Sequence, residues 1–184
     1  MSDGQSRKTT VRTFRLDSEW DAILKEEADK NGLTVSALLN QIVKRYAVAQ
    51  RFNANSQTVS LDFKIFSPIL EMLTEAMVKD FGKAVGTISI REAIAKRGLP
   101  INYESVEYLI LEIYAKYASW FNCNTYKSGT DIVFNLNHSY GVKWSVFISS
   151  FMESMFKTLL DITPRIETYN GSIIMKIPER QIKR

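Results

Sequence analysis

Between Thr9 and Ala49 the chain offers one strand-length segment and two short helices hinged at Asn31-Gly32, with little else to build on. About forty residues of this kind bury little apolar surface alone, and a single strand has no neighbour for its backbone groups. The segment is therefore expected to depend on a second chain.

From Thr9 to Leu16 the run Thr-Thr-Val-Arg-Thr-Phe-Arg-Leu is rich in the β-branched and aromatic residues that suit a strand. Strand alternation sends Phe14 and Leu16 to one face and Val11, Thr13 and Arg15 to the other. Asp17 or Ser18 can cap a first helix, and Asp21 completes a capping-box pattern. Its apolar positions Trp20, Ile23, Leu24 and Ala28 recur at helical spacing until Gly32 supplies a left-handed stop. Thr34 or Ser36 caps a second helix whose stripe is Leu38, Leu39, Ile42, Val43 and Tyr46.

The net charge of +4 says little, since nine basic and seven acidic residues precede position 53 and the rest divides almost as evenly. Placement says more. Arg7, Lys8, Arg12 and Arg15 follow one another with no acid between Asp3 and Asp17, which concentrates positive potential on the strand segment.

This order, a basic strand, a capped helix, the turn Gly32-Leu33-Thr34-Val35-Ser36-Ala37-Leu38-Leu39 and a second helix, resembles the ribbon-helix-helix repressors of the Arc and methionine-repressor kind. The resemblance covers about 9–46. It implies an intertwined homodimer that can pair into a tetramer, with a core of Phe14, Leu16, Trp20, Leu24, Leu38, Ile42 and Tyr46. Two strands would pair into a ribbon that enters the major groove of double-stranded DNA, with Val11, Thr13 and Arg15 on base edges. Arg7, Lys8, Arg12 and the first amides of the second helix, at Thr34, Val35 and Ser36, would hold phosphates. The expected function is a sequence-specific transcriptional regulator, a repressor by analogy. An antitoxin-type autoregulator or an architectural DNA-binding protein are the alternatives.

Residues 53–58 are polar and aperiodic and read as a linker between a 1–52 module and a 59–184 domain. Thr58–Phe66 alternates like a strand, Ser67-Pro68 then opens a helix toward Phe81, and Gly82, Gly86 and Gly98 punctuate the helical stretches that follow. A long helix carries Val106, Ile110, Ile113, Tyr117 and Phe121 on one face. Thr130–Asn137 reads as a strand, Tyr140–Leu160 as a helix and Thr163–Ile177 as a hairpin turning at Asn170-Gly171. The fold class expected is α+β: the ribbon-helix-helix module, then a domain of several helices and a small antiparallel sheet. The order helices-β-β-α-β-β is similar to that of vinyl-reductase-like sensor domains, with no residue motif in common. The domain is expected to bind a small-molecule or protein effector or to oligomerise.

The only histidine, His138, sits at a strand-to-helix junction with Tyr140, Lys143 and Trp144, a set that can take an anion or small ligand at a helix N-terminus. One His and one Cys cannot furnish a structural zinc site, so neither metal nor cofactor is expected. No carboxylate pair, nucleophile elbow or phosphate loop points to an enzyme. The polar start and the lack of a long apolar run point to a cytoplasmic, nucleoid-associated protein without membrane contact.

Overall fold

A computed structural model describes residues 9–52 and 61–182. The chain divides into two units, Met1–Ala47 and Val48–Arg184. In the first, α1 (Ser18–Lys30) and α2 (Val35–Val48) are joined by a turn in which Gly32 takes φ +63° and Leu33 N–H reaches back to the Ala28 carbonyl at 2.8 Å. Thr34 Oγ1 caps α2 by accepting from Ala37 N–H. The helix pair is thus present as its spacing predicts.

The strand before it is not. Thr9–Asp17 carries no strand or ladder partner, and Val11, Arg12, Thr13, Phe14, Arg15 and Leu16 are all exposed. Extended backbone becomes a strand only when a neighbour takes its N–H and C=O groups, and among the described residues none is near. The expected strand-helix-helix is corrected to a segment without regular structure followed by a helix pair. Arg7 and Lys8 lie outside the described residues.

In the second unit a four-stranded antiparallel sheet, β1 (Asn122–Ser128), β2 (Asp131–Asn137), β3 (Arg165–Tyr169) and β4 (Ser172–Pro178), runs in the order β1-β2-β4-β3. Register aligns Ile132 with Ile177, Phe134 with Met175 and Leu136 with Ile173, an apolar row on one face of the two central strands. Against it lies α6 (Val142–Leu160), which buries ten of its nineteen residues, from Trp144 to Leu159. A helix buried on so much of its circumference is packed from several sides.

α4 (Glu75–Arg97) supplies one of those sides. It is a single 23-residue helix, capped by Thr74 and running straight through Gly82 and Gly86. Both glycines face α6: a Cβ on Gly82 would sit 2.6 Å from the Phe147 carbonyl oxygen, and one on Gly86 2.5 Å from that of Phe151. They are contact points and break nothing. Ser154 completes the seam, bonded to Thr87 Oγ1 at 2.7 Å and to the Lys83 carbonyl at 2.9 Å.

Two further expectations change. The helix expected from Ser67 toward Phe81 is two: α3 (Phe63–Met72), capped by Asp62 with Pro68 inside it, begins earlier and stops before Thr74, the cap of α4, so 61–66 is not a strand. The long helix expected around Val106–Phe121 is α5 (Tyr103–Tyr108) followed by nine π-helical residues, Leu109–Tyr117.

Candidate site at the β2–α6 junction

His138 leaves the end of β2, and Gly141, at φ +83°, turns the chain into α6. A cleft of about 370 Å³ opens there, lined by Ala115, Ser119, Phe121, Asn122, Asn137, His138, Ser139 and Tyr140. A larger depression of about 780 Å³ lies around Thr130, Asp131 and Arg165, but its central charges, Asp131 and Arg165, are already paired with each other.

The hydrogen bonds of His138 fix its tautomer. Nδ1 accepts from Tyr140 N–H at 3.1 Å, so the neutral ring carries its proton on Nε2 and donates to Ser145 Oγ at 2.9 Å. Ser145, fully buried, also accepts from Gly171 N–H at 3.3 Å, and His138 N–H donates to the Gly171 carbonyl at 2.9 Å. The imidazole thereby ties β2, α6 and the β3–β4 turn together. Its proton points at the hydroxyl, the reverse of what a base needs to activate a serine.

Burial lowers the His138 pKa from its ordinary 6.5, and a proton added to Nδ1 would face the Tyr140 N–H donor. A group held below its unfolded pKa contributes stability that is complete above that value and lost as pH falls through the folded one. Urea midpoints of the second unit should accordingly be flat at and above about pH 7 and decline below about pH 6.5. His138→Gln should lower the midpoint and flatten this slope; an unchanged slope would assign it to other groups.

The remaining members of the expected set separate. Tyr140 lines the cleft, stacks on His138 at 6.0 Å and donates from its hydroxyl to the Ser119 carbonyl at 3.1 Å. Lys143 turns toward α3, where Nζ donates to the carbonyls of Glu71 and Leu73 at 2.5 and 2.6 Å and meets the Glu71 carboxylate at 3.4 Å. Trp144 is buried, donates to the Trp120 carbonyl at 3.0 Å and packs among Phe63, Phe66, Trp120, Tyr140 and Phe147. Asn122 and Ser119, which sequence reasoning missed, complete the polar wall. No sequence signal marks them, because β1 lacks apolar alternation and Ser119 gains its place from a left-handed turn at φ +55°.

Desolvation raises the Cys123 thiol to about 11, which keeps it protonated and poorly nucleophilic near neutral pH. Among the described residues no three His, Cys, Asp or Glu gather as a metal site, and no helix is long and apolar enough to cross a membrane.

In the first unit, Val11, Thr13 and Arg15 stand exposed on unpaired backbone; Thr34 is occupied as a cap, and Val35 and Ser36 open α2. Phe14, Leu16, Trp20, Ile42 and Tyr46 are exposed, and Leu24 and Leu38 half-buried.

No protein-family model matches the sequence, and no curated protein does. A solved structure of a trafficking protein particle complex subunit 3 from Naegleria fowleri, covalently bound to palmitic acid, is similar at 13% identity over 89% of this chain and 97% of that one, with a TM-score of 0.38. At that score the likeness assigns neither fold nor function here. The ribbon-helix-helix resemblance, with its DNA partner, regulator role and antitoxin or architectural alternatives, is corrected. No family model matches, and among the described residues Thr9–Asp17 forms no strand, so the ribbon that would enter the groove is not there.

Proposed function

We propose that this chain is a non-catalytic subunit of a protein assembly, whose first unit is a helix pair that docks on a partner protein. One observation carries the reading: in 9–47 only Ala28 is buried, while Trp20, Val43 and Tyr46 are 54%, 63% and 55% exposed and Ile23 and Ile42 stand open beside them. Burying the exposed half of five such side chains would contribute on the order of 5 kcal/mol before the cost of association. Without that burial, two helices of thirteen and fourteen residues are marginal in water. The tautomer of His138, which makes the imidazole a structural tie, supports the non-catalytic half of the reading.

The test combines sedimentation with hydrogen exchange on the full chain. Amides of α1 and α2 should be protected only in a species heavier than one chain, and Trp20→Asp should abolish both the protection and the added mass. A species of one chain's mass with α1 and α2 fully protected would overturn the proposal.

A further inference from the structure

Arg97 ends α4, and its guanidinium lies 4.5 Å from the centroid of the Phe52 ring. Arg51, in the 3-10 turn Gln50–Phe52, lies 4.5 Å from the same ring. Two cations on one phenyl ring lie no farther apart than twice that distance, and like charges repel. Among the described residues neither arginine is ion-paired with a carboxylate, whereas nine lysine or arginine side chains elsewhere are.

The donors of Arg97 are only partly used. One N–H of Nη1 reaches the Ala93 carbonyl at 3.0 Å, while Nε is buried with no hydrogen-bond partner. A buried donor left unpaired on a charged group is uncommon and calls for an acceptor. Tyr108 lies within electrostatic range of both guanidiniums, and Tyr114 within range of Arg97. These tyrosines flank and belong to the π-helical stretch Leu109–Tyr117, a conformation found chiefly at functional sites. The nearby carboxylate, Glu112, interacts with Tyr108 and is itself held by Lys116 at 3.4 Å.

We propose that Arg51 and Arg97, gathered on Phe52 beside Tyr108, bind a phosphoryl oxyanion. The guanidinium fork matches phosphate oxygens in geometry and charge, and the phenolic hydroxyl adds a neutral donor. The aromatic ring holds both cations in place, so less side-chain freedom is lost when the anion arrives. The shared chemistry is a phosphoryl group, either free in solution or on a lipid headgroup.

Calorimetric titration of the full chain with inorganic pyrophosphate at low salt tests it, with vesicles of phosphatidylcholine containing phosphatidic acid as a second arm. Arg51→Gln and Arg97→Gln should each weaken binding about tenfold, the loss expected for one charge-assisted contact. Arg180→Gln, which removes the same charge from an exposed position elsewhere, should leave it unchanged. Binding of pyrophosphate but not vesicles assigns a free phosphoryl ligand; vesicle binding displaced by pyrophosphate assigns a headgroup. Because Arg51 is exposed, its substitution does not threaten the fold even if that of Arg97 does. Binding to neither probe, or an Arg51→Gln affinity equal to that of the unaltered chain, would overturn the proposal.

Discussion

Gly86→Val is expected to destabilise the second unit by about 2–3 kcal/mol, and Gly82→Ala combined with Gly86→Ala by a similar amount. The sign is the informative part. Replacing glycine by alanine inside an exposed helix ordinarily stabilises by roughly 1 kcal/mol, since alanine is the better helix former. Here the added carbon would meet the carbonyl oxygens of Phe147 and Phe151 at 2.6 and 2.5 Å, and next to them the Cβ atoms of Ser150 and Ser154 at 3.0 Å. Those atoms are backbone or its first carbon, so no rotamer change makes room. α4 and α6 must separate, and every dispersion contact along the seam weakens with them. Urea denaturation followed by far-ultraviolet circular dichroism measures the effect. A higher midpoint for the double alanine variant would mean that the helices do not approach this closely.

Phe151→Ala should cost about 3–5 kcal/mol, the range for removing a large aromatic from a packed core. The ring is 1% exposed and stands 5.1 Å from Tyr114, 5.5 Å from Trp120 and 6.1 Å from Phe147, so it joins α6 to the π-helical stretch and the loop after it. Its loss leaves a cavity among rigid rings that cannot collapse to fill it. Tyr126→Ala, on exposed β1, should stay within about 0.5 kcal/mol. If the two substitutions proved equally mild, the aromatic cluster would not be the centre of the core. Fluorescence of Trp120 and Trp144 provides the readout.

Much of the second unit was legible because its signals are local. Asn170-Gly171 marks the β3–β4 turn, alternation marks β2, and the apolar stripe from Trp144 to Met155 marks α6. What escaped depends on contacts between distant residues. Gly82 and Gly86 read as punctuation in sequence, and only the approach of α6 explains them. β1 escaped because Asn122-Cys123-Asn124-Thr125-Tyr126-Lys127-Ser128 sits on the sheet edge, where its side chains face water and need no alternation. The basic run near Arg12 and Arg15 misled for the opposite reason: strand-like composition describes what a backbone tolerates, whereas a strand also needs a neighbour.

The candidate site was half legible. A lone histidine between a strand and a helix pointed to the junction, but the same run also named Lys143 and Trp144, which helical geometry turns away from the cleft toward α3 and the core. The cluster of Arg51, Phe52 and Arg97 gave no sequence signal, because forty-five positions separate its parts.

The π-helical stretch also limits how this chain can change over generations. Its amides reach one residue further back than in an α-helix, as in the 2.8 Å bond from Ala118 N–H to the Ile113 carbonyl. Deleting one residue there would let ordinary helical bonding take over and change where the chain leaves the helix. Trp120 and Phe121 would leave their places against α6. Natural variation in this segment should therefore exchange side chains freely at Lys116 while conserving its length.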